Sequence, residues 1–219
     1  MAGRSYNQYC AVARGLDLIG DRWTLLIVRD LLLGPKRYKD LLDGLPGIGT
    51  NLLATRLHEL TGDGLIERAL LPPPAGSAVY QLTESGQALE PVVIAIGRFG
   101  GRFLGLPLAA DVLLPGAYFV AIRAAFRPQL AQGVAETYEF RVGGRVFEVR
   151  VGEGRCETRE GGAVHPSVVA TMDVETLNAL LLGGLPPARG LADGLISMSG
   201  DPAALDRFAL AFAIHPGTT

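Results

Sequence analysis

The sequence predicts an α+β protein of two domains, and three observations carry the prediction. Its 219 residues exceed the roughly 100–150 of a usual single domain, so two compact cores are the natural division. The first half reads as helices followed by a hairpin and a further helix. The second half reads as strands alternating apolar and charged residues, followed by capped helices. A hydrophobic share of 48% with 19% charged residues is that of an ordinary globular chain. The composition shifts between Gly105 and Gly116, a mostly uncharged stretch bracketed by Pro107 and Pro115, which sets the domains at 1–106 and 107–219.

Taken in order, a short helix is expected from Ala11 to Ile19, where Val12, Leu16 and Ile19 recur at helical spacing. A second follows with Asp21 as N-cap, an almost wholly apolar run from Trp23 to Leu33, and Gly34-Pro35 as its stop. Tyr38 to Gly44 predicts a one-sided helix of about two turns, broken by Pro46-Gly47. Thr50 to Leu60 predicts another, with Leu53, Leu57 and Leu60 on one face and Thr50, Asn51, Thr55, Arg56, His58 and Glu59 on the other. Strands from Leu65 to Leu71 and from Val79 to Leu82 form a hairpin with a proline-rich tip. Thr83 then caps a helix reaching Leu104, kinked at Pro91, whose seam of Leu89, Val92, Ile96, Phe99 and Phe103 suits packing against another helix.

In the second half a helical stretch from Tyr118 to Phe126 precedes strands at Thr137–Val142, Arg145–Val151 and Arg155–Arg159. Helices from Asp173 to Leu182 and from Asp201 to Phe212 each open on an aspartate N-cap, with a strand from Leu195 to Ser199 between them. The expectation is an antiparallel sheet covered by helices on one face.

Several function classes find no support. No apolar run approaches a spanning length and no signal-peptide core is present, so a cytoplasmic protein without a membrane role is expected. Cys10 and Cys156 form neither a disulfide framework nor a metal cluster, and His58, His165 and His215 are isolated. Gly47-Ile48-Gly49-Thr50-Asn51-Leu52 lacks the third glycine of a dinucleotide loop, and Gly44 to Thr50 lacks the lysine of a phosphate loop. No enzyme, metal or cofactor is expected.

The order helix, helix, short helix, tight turn, helix, hairpin, helix is the winged helix-turn-helix plan, which places Thr50 to Leu60 in the major groove of double-stranded DNA. Arg56 suits guanine, Asn51 adenine, and Thr50 or Thr55 bases or phosphates. Lys36, Arg37 and Lys39 flank Tyr38 where such a fold meets the phosphate backbone. A solvated polar face and a basic turn are the alternative reading. Net charge is a constraint here: residues 1–105 carry 11 Lys+Arg against 10 Asp+Glu, and residues 106–219 carry 9 against 12. The wing has Arg68 at its base and no charge from Ala69 to Leu82, so it offers no arginine to a minor groove.

Tyr9-Cys10, the block Leu16-Asp17-Leu18-Ile19-Gly20-Asp21-Arg22-Trp23-Thr24-Leu25-Leu26-Ile27, then Leu45-Pro46-Gly47-Ile48, Thr50-Asn51-Leu52-Leu53, Arg56-Leu57 and Tyr80-Gln81-Leu82-Thr83-Glu84-Ser85-Gly86 together resemble the HxlR family of bacterial transcription regulators. The resemblance spans about residues 6–104. It implies a homodimer on a palindromic operator, joined through the terminal helices of this domain. Relatives with a cysteine near the N-terminus make Cys10 a redox candidate; the alternative is a small residue packed at the start of the first helix.

Residues 112–214, with the Gly143-Gly144 turn and Gly194-Leu195-Ile196-Ser197-Met198-Ser199-Gly200-Asp201, resemble a sterol-carrier-protein-like domain. That resemblance implies a site for an apolar small-molecule effector, lined by Phe119, Ile122, Phe126, Tyr138, Phe140, Phe147, Leu177, Leu181, Phe208 and Phe212. Core packing accounts for the same residues equally well. The resulting expectation is a ligand-responsive repressor; a redox regulator, or a lipid-binding module whose first domain serves only dimerisation, are the alternatives.

Overall fold

The computed structural model describes residues 5–72, 76–103, 111–112, 114 and 117–212. The chain divides into two compact units, Met1–Val93 and Ile94–Thr219. The division falls within a helix, earlier than the boundary expected at 106, which lies outside the described residues.

In the first unit, helices α1 (Ala11–Ile19), α2 (Thr24–Leu31), α3 (Tyr38–Gly44) and α4 (Thr50–Gly62) precede a hairpin of β1 (Ile66–Leu70) and β2 (Ala78–Leu82). Two helices follow, α5 (Glu84–Gln87) and α6 (Glu90–Gly101), the second of which runs on into the second unit. Ile27, Val28 and Leu31 of α2 are buried with Leu41, Leu45, Leu53 and Leu57, whereas Leu26 of the same apolar run is exposed, so α2 is covered on one side rather than all round. The N-cap expected at Asp21 is not formed. Trp23 occupies that position with φ 81°, and the Asp21 carboxylate bonds the Arg56 guanidinium at 2.5 Å instead. A carboxylate gains more from an ionised guanidinium than from a neutral backbone amide, which accounts for the exchange. Asp30, also buried, takes the Arg29 Nε at 2.8 Å, and Arg29 Nη2 reaches the Gly44 carbonyl at the end of α3.

The hairpin registers Ile66 with Leu82 and Leu70 with Ala78, and residues 73–75 of its tip lie outside the described residues. Lys36 and Tyr80 exchange both backbone hydrogen bonds, so the segment entering α3 is tied to the wing. Thr83 caps α5 by accepting the Gly86 amide at 3.1 Å and donates its own hydroxyl to Gly64. The single helix expected from Thr83 is in fact two, parted at Ala88 and Leu89. Pro91 has no amide hydrogen to give the Gln87 carbonyl and sits where proline is tolerated, in the first turn of α6. The expected end at Leu104 lies outside the described residues.

The second unit contains α7 (Tyr118–Ala125), a 3-10 turn (Pro128–Leu130), β3 (Glu136–Val142), β4 (Arg145–Gly152), β5 (Arg155–Glu160) and β6 (Val168–Met172), then α8 (Val174–Leu181), α9 (Pro187–Ala192), β7 (Ser197–Gly200) and α10 (Pro202–Ala211). The sheet order is β5-β4-β3-β6-β7. β3 and β6 pair in parallel, so the sheet is mixed rather than wholly antiparallel as expected. After β5 the chain does not turn back in a hairpin but passes to the far side of β3, with Gly161 at φ 118° and His165 at φ 54° along the way. Asp173 and Asp201 cap α8 and α10 as expected, accepting the amides of Thr176 and Ala203.

The two sheet faces differ. Tyr138, Phe140, Phe147 and Val149 meet Phe119 of α7 and Phe208 of α10 on the apolar face. On the other, Glu139 and Glu148 stand opposite each other across β3 and β4 and are buried. Arg141 bonds Glu139, and Arg150 and Arg159 bond Glu148, which removes the repulsion of two facing carboxylates. The Ala163 amide and then Arg141 hold the Glu139 carboxyl below its ordinary range.

Within this unit α6 lies close against α7. A Cβ on Gly97 would stand 3.1 Å from that of Ala124, Gly101 is buried, and Arg98 donates to the carbonyls of Ala124 and Phe126. The seam residues Val92, Ile96, Phe99 and Phe103 are all exposed, Phe103 to 73%.

Gly86 gives a direct stability test. A Cβ there would stand 2.0 Å from the Leu65 backbone oxygen, so the chain has to move. Gly86→Ala is expected to cost roughly 1–3 kcal/mol, read as a lower Tm on thermal unfolding. An unchanged Tm would contradict this packing.

Candidate nucleic-acid interface

The geometry of α4 begins with its leucines. Leu53, Leu57 and Leu60 are buried to 2% exposure or less, which fixes the rotation of the helix about its axis. Thr50, Asn51, Thr55, His58 and Glu59 are thereby turned to the surface, as expected from the sequence. The entry to α4 is a tight turn in which Gly47 takes φ 90°, a conformation that suits glycine, while Ile48 is buried to anchor it. Tyr38 donates its hydroxyl to the Thr50 carbonyl at 2.7 Å, so the first turn of α3 is fastened to the first turn of α4.

That fastening brings the expected residues into one neighbourhood. Lys36 is held by its backbone to Tyr80, two residues before Tyr38; Arg37 donates its amide to Asp40 Oδ2 at 3.0 Å; Arg37 and Lys39 are exposed on either side of Tyr38. Thr50 and Asn51 lie where the unpaired amides of the α4 N-terminus carry partial positive charge. Thr55 donates its hydroxyl to the Asn51 carbonyl at 2.9 Å and retains only acceptor capacity for a ligand.

Arg56 is engaged differently from what the helix pattern suggests. Its side chain is only 17% exposed, and its Nη1 bonds both Asp21 Oδ2 and Glu59 Oε2 at 2.5 Å. Its Nε is buried without a hydrogen-bond partner. The guanidinium thus ties α4 to the turn before α2. Asp21, expected as a helix cap, and Tyr38, expected only as the residue between the basic side chains, are the groups that fix α4 to its neighbours; the spacing of 35 residues between Asp21 and Arg56 carries no signal of contact. Arg22, 5.4 Å above the Trp23 ring, is a further exposed cation beside this turn.

In the second unit, all the residues expected around an apolar effector are buried and pack on one another. Phe119 meets Phe147 at a centroid distance of 4.3 Å, Phe140 meets Phe208 at 4.6 Å, and Phe208 stacks on Phe212 at 4.3 Å. Ile122, Leu177 and Leu181 are buried to 1% or less, and Phe126 lies against Phe212. The Tyr138 hydroxyl donates to Glu136, which Arg207 also bonds. Burial first, then this bond, pushes the phenol well above its ordinary range.

The two cysteines are unlike each other. Cys10 is exposed at the N-cap of α1, whereas burial pushes the Cys156 thiol up to about 12 despite the opposing pull of Arg123. No group of three or more His, Cys, Asp and Glu side chains fit to hold a metal occurs among the described residues; His215 lies outside them.

Comparison with known proteins places these features in a family. Residues 18–106 match the model of the HxlR-like helix-turn-helix family. The HTH-type transcriptional regulator sll1512 of Synechocystis sp. is 36% identical over 107 residues, covering 49% of this chain and 79% of that protein. The HTH-type transcriptional regulator YodB of Bacillus subtilis is 43% identical over 87 residues, covering 40% of this chain and 78% of that protein. The solved reduced form of YodB aligns at 34% identity with a TM-score of 0.39, covering 45% of this chain and 97% of that one.

Two predictions follow from the site. A double-mutant cycle on Asp21→Asn and Arg56→Met should give a coupling of roughly 0.5–1 kcal/mol in thermal or urea unfolding, and strict additivity would contradict the ion pair. Iodoacetamide at neutral pH should label the exposed Cys10 of the folded chain faster than the half-buried Cys156; equal labelling rates would contradict this difference.

Proposed function

We propose, since the chain belongs to the HxlR-like helix-turn-helix family of transcriptional regulators, that it binds a palindromic operator as a homodimer with the first turn of α4 in the major groove. The observation that carries this reading is the fastening of Thr50 to Tyr38, which sets Thr50 and Asn51 beside the basic segment Lys36, Arg37 and Lys39. Asn51 suits an adenine edge, while Arg37 and Lys39 suit phosphates on either side. Arg56, already held by two carboxylates, acts as a positioning residue for α4 rather than as a reader of guanine. Val92, Ile96 and Phe99, exposed on α6, and Phe103 just past its end support dimerisation through that helix. The dimer doubles a small cationic surface that one copy alone supplies weakly. No helix among the described residues is long and apolar enough to cross a membrane.

Regulation belongs to the second unit in this reading, with repression relieved when a small molecule binds. An apolar molecule between sheet and helices would have to displace the aromatic packing described above. A second reading, redox response through Cys10, rests on its exposure at the start of α1.

The test is fluorescence anisotropy of the full chain on a duplex selected from random sequence. Asn51→Ala should weaken specific binding by about 1–3 kcal/mol and relax preference at one position of each half-site. Lys39→Ala should weaken binding to all sequences alike and reduce the salt slope by about 1. The converse pattern would exchange the roles of the two residues, and equal affinity for random duplex would overturn the proposal. A Cys10→Ser chain that still loses DNA on oxidation would remove the redox reading.

A further inference from the structure

One cleft of the second unit stands apart by its charge. It has a volume of about 300 Å³ at the end of α7, within the usual range for small-molecule sites, and Arg98, Phe126, Arg127, Pro128 and Gln129 are among its walls. Two arginines line it, and among the described residues no aspartate or glutamate does. Six other arginines of this unit, Arg141, Arg145, Arg150, Arg159, Arg189 and Arg207, each meet a carboxylate of the chain.

The cationic wall is also held in place. Arg98 spends its Nε and Nη2 on the carbonyls of Ala124 and Phe126, at 3.0 and 3.4 Å, which orients its fork and leaves other donors of the guanidinium unspent on those carbonyls. Arg127 is anchored by its amide to the Ala211 carbonyl at 2.8 Å and followed by Pro128, whose ring restricts the chain. Ala125 and Phe126 also line the cleft but are themselves buried, and the Phe126 ring lies against Phe212.

We infer that this cleft binds a small organic carboxylate, the anion held between Arg98 and Arg127. A planar guanidinium matches a carboxylate with two parallel bonds, which a neutral isostere does not provide. The site also has a route to the regulatory reading above, on which this part rests. Arg98 belongs to α6, and on a helical wheel it lies away from the exposed stripe of Val92, Ile96 and Phe99. An occupant therefore bears on the helix proposed for dimerisation.

The test is isothermal titration of the full chain with acetate, octanoate, benzoate and phenylacetate, and with benzamide and inorganic phosphate as controls. At least one of the four carboxylates should bind saturably at one per chain. Arg127→Gln should weaken that binding at least tenfold with an unchanged Tm, and benzamide should bind at least tenfold more weakly than benzoate if benzoate is a ligand. No saturable carboxylate binding, undiminished binding by Arg127→Gln, or phosphate binding equal to the best carboxylate would overturn the site. Saturating carboxylate should shift operator affinity at least threefold. An unchanged affinity would overturn the link to α6 and leave the binding result standing, whereas failure to bind any operator would fall on the DNA-binding reading alone.

Discussion

The burial of Leu53, Leu57 and Leu60 is the constraint on which the first unit depends. Three leucines on one stripe leave α4 a single rotation at which its apolar surface is covered. Every polar side chain on α4 is then delivered to a fixed direction. The neighbouring elements add precision to what the leucines decide. Tyr38 holds the first turn from α3, and Asp21 holds the middle of the helix through Arg56. A groove-reading helix needs its side chains positioned on a rigid support, and these two fastenings, far apart in sequence, provide it.

Electrostatics organises the two units differently. In the second, the outer sheet face is self-compensated, its buried Glu139 and Glu148 matched by arginines, and on the opposite side Glu136 and Asp201 share Arg207. Such a face satisfies its own charges and projects little field. In the first unit the cations at 37 and 39 are exposed, and a formal charge of −2 over the whole chain does not prevent a local positive surface. Net charge describes solubility and long-range steering, whereas contact with phosphates is decided within a Debye length of about 10 Å.

The sequence is most legible where periodicity and capping agree. α1, α3 and α4 begin at the expected residues because apolar spacing and helix breakers coincide there; Asp173 caps α8, and Asp201 caps α10 through one carboxylate oxygen while the other takes Arg207. Asp21 has the same local signature but a distant arginine claims it. β6 is only five residues long and follows an irregular crossing, and its parallel pairing with β3 is a long-range choice that local pattern does not encode. α9 has only six residues, too few for a periodic signal. The polar face of α4 was legible as a face; which of its members are free was not, because Arg56 and Thr55 are committed by contacts rather than by type.

Hydrogen–deuterium exchange of the full chain with and without a selected operator duplex tests the central claim most directly. The first amides of α4 lack intrahelical partners and exchange readily, so a phosphate or base placed against them is visible as new protection. The account predicts slowed exchange at residues 36–39 and 50–53 on operator binding, with the sheet of the second unit unchanged. Protection confined to the second unit, with 50–53 exchanging as in the free chain, would contradict it.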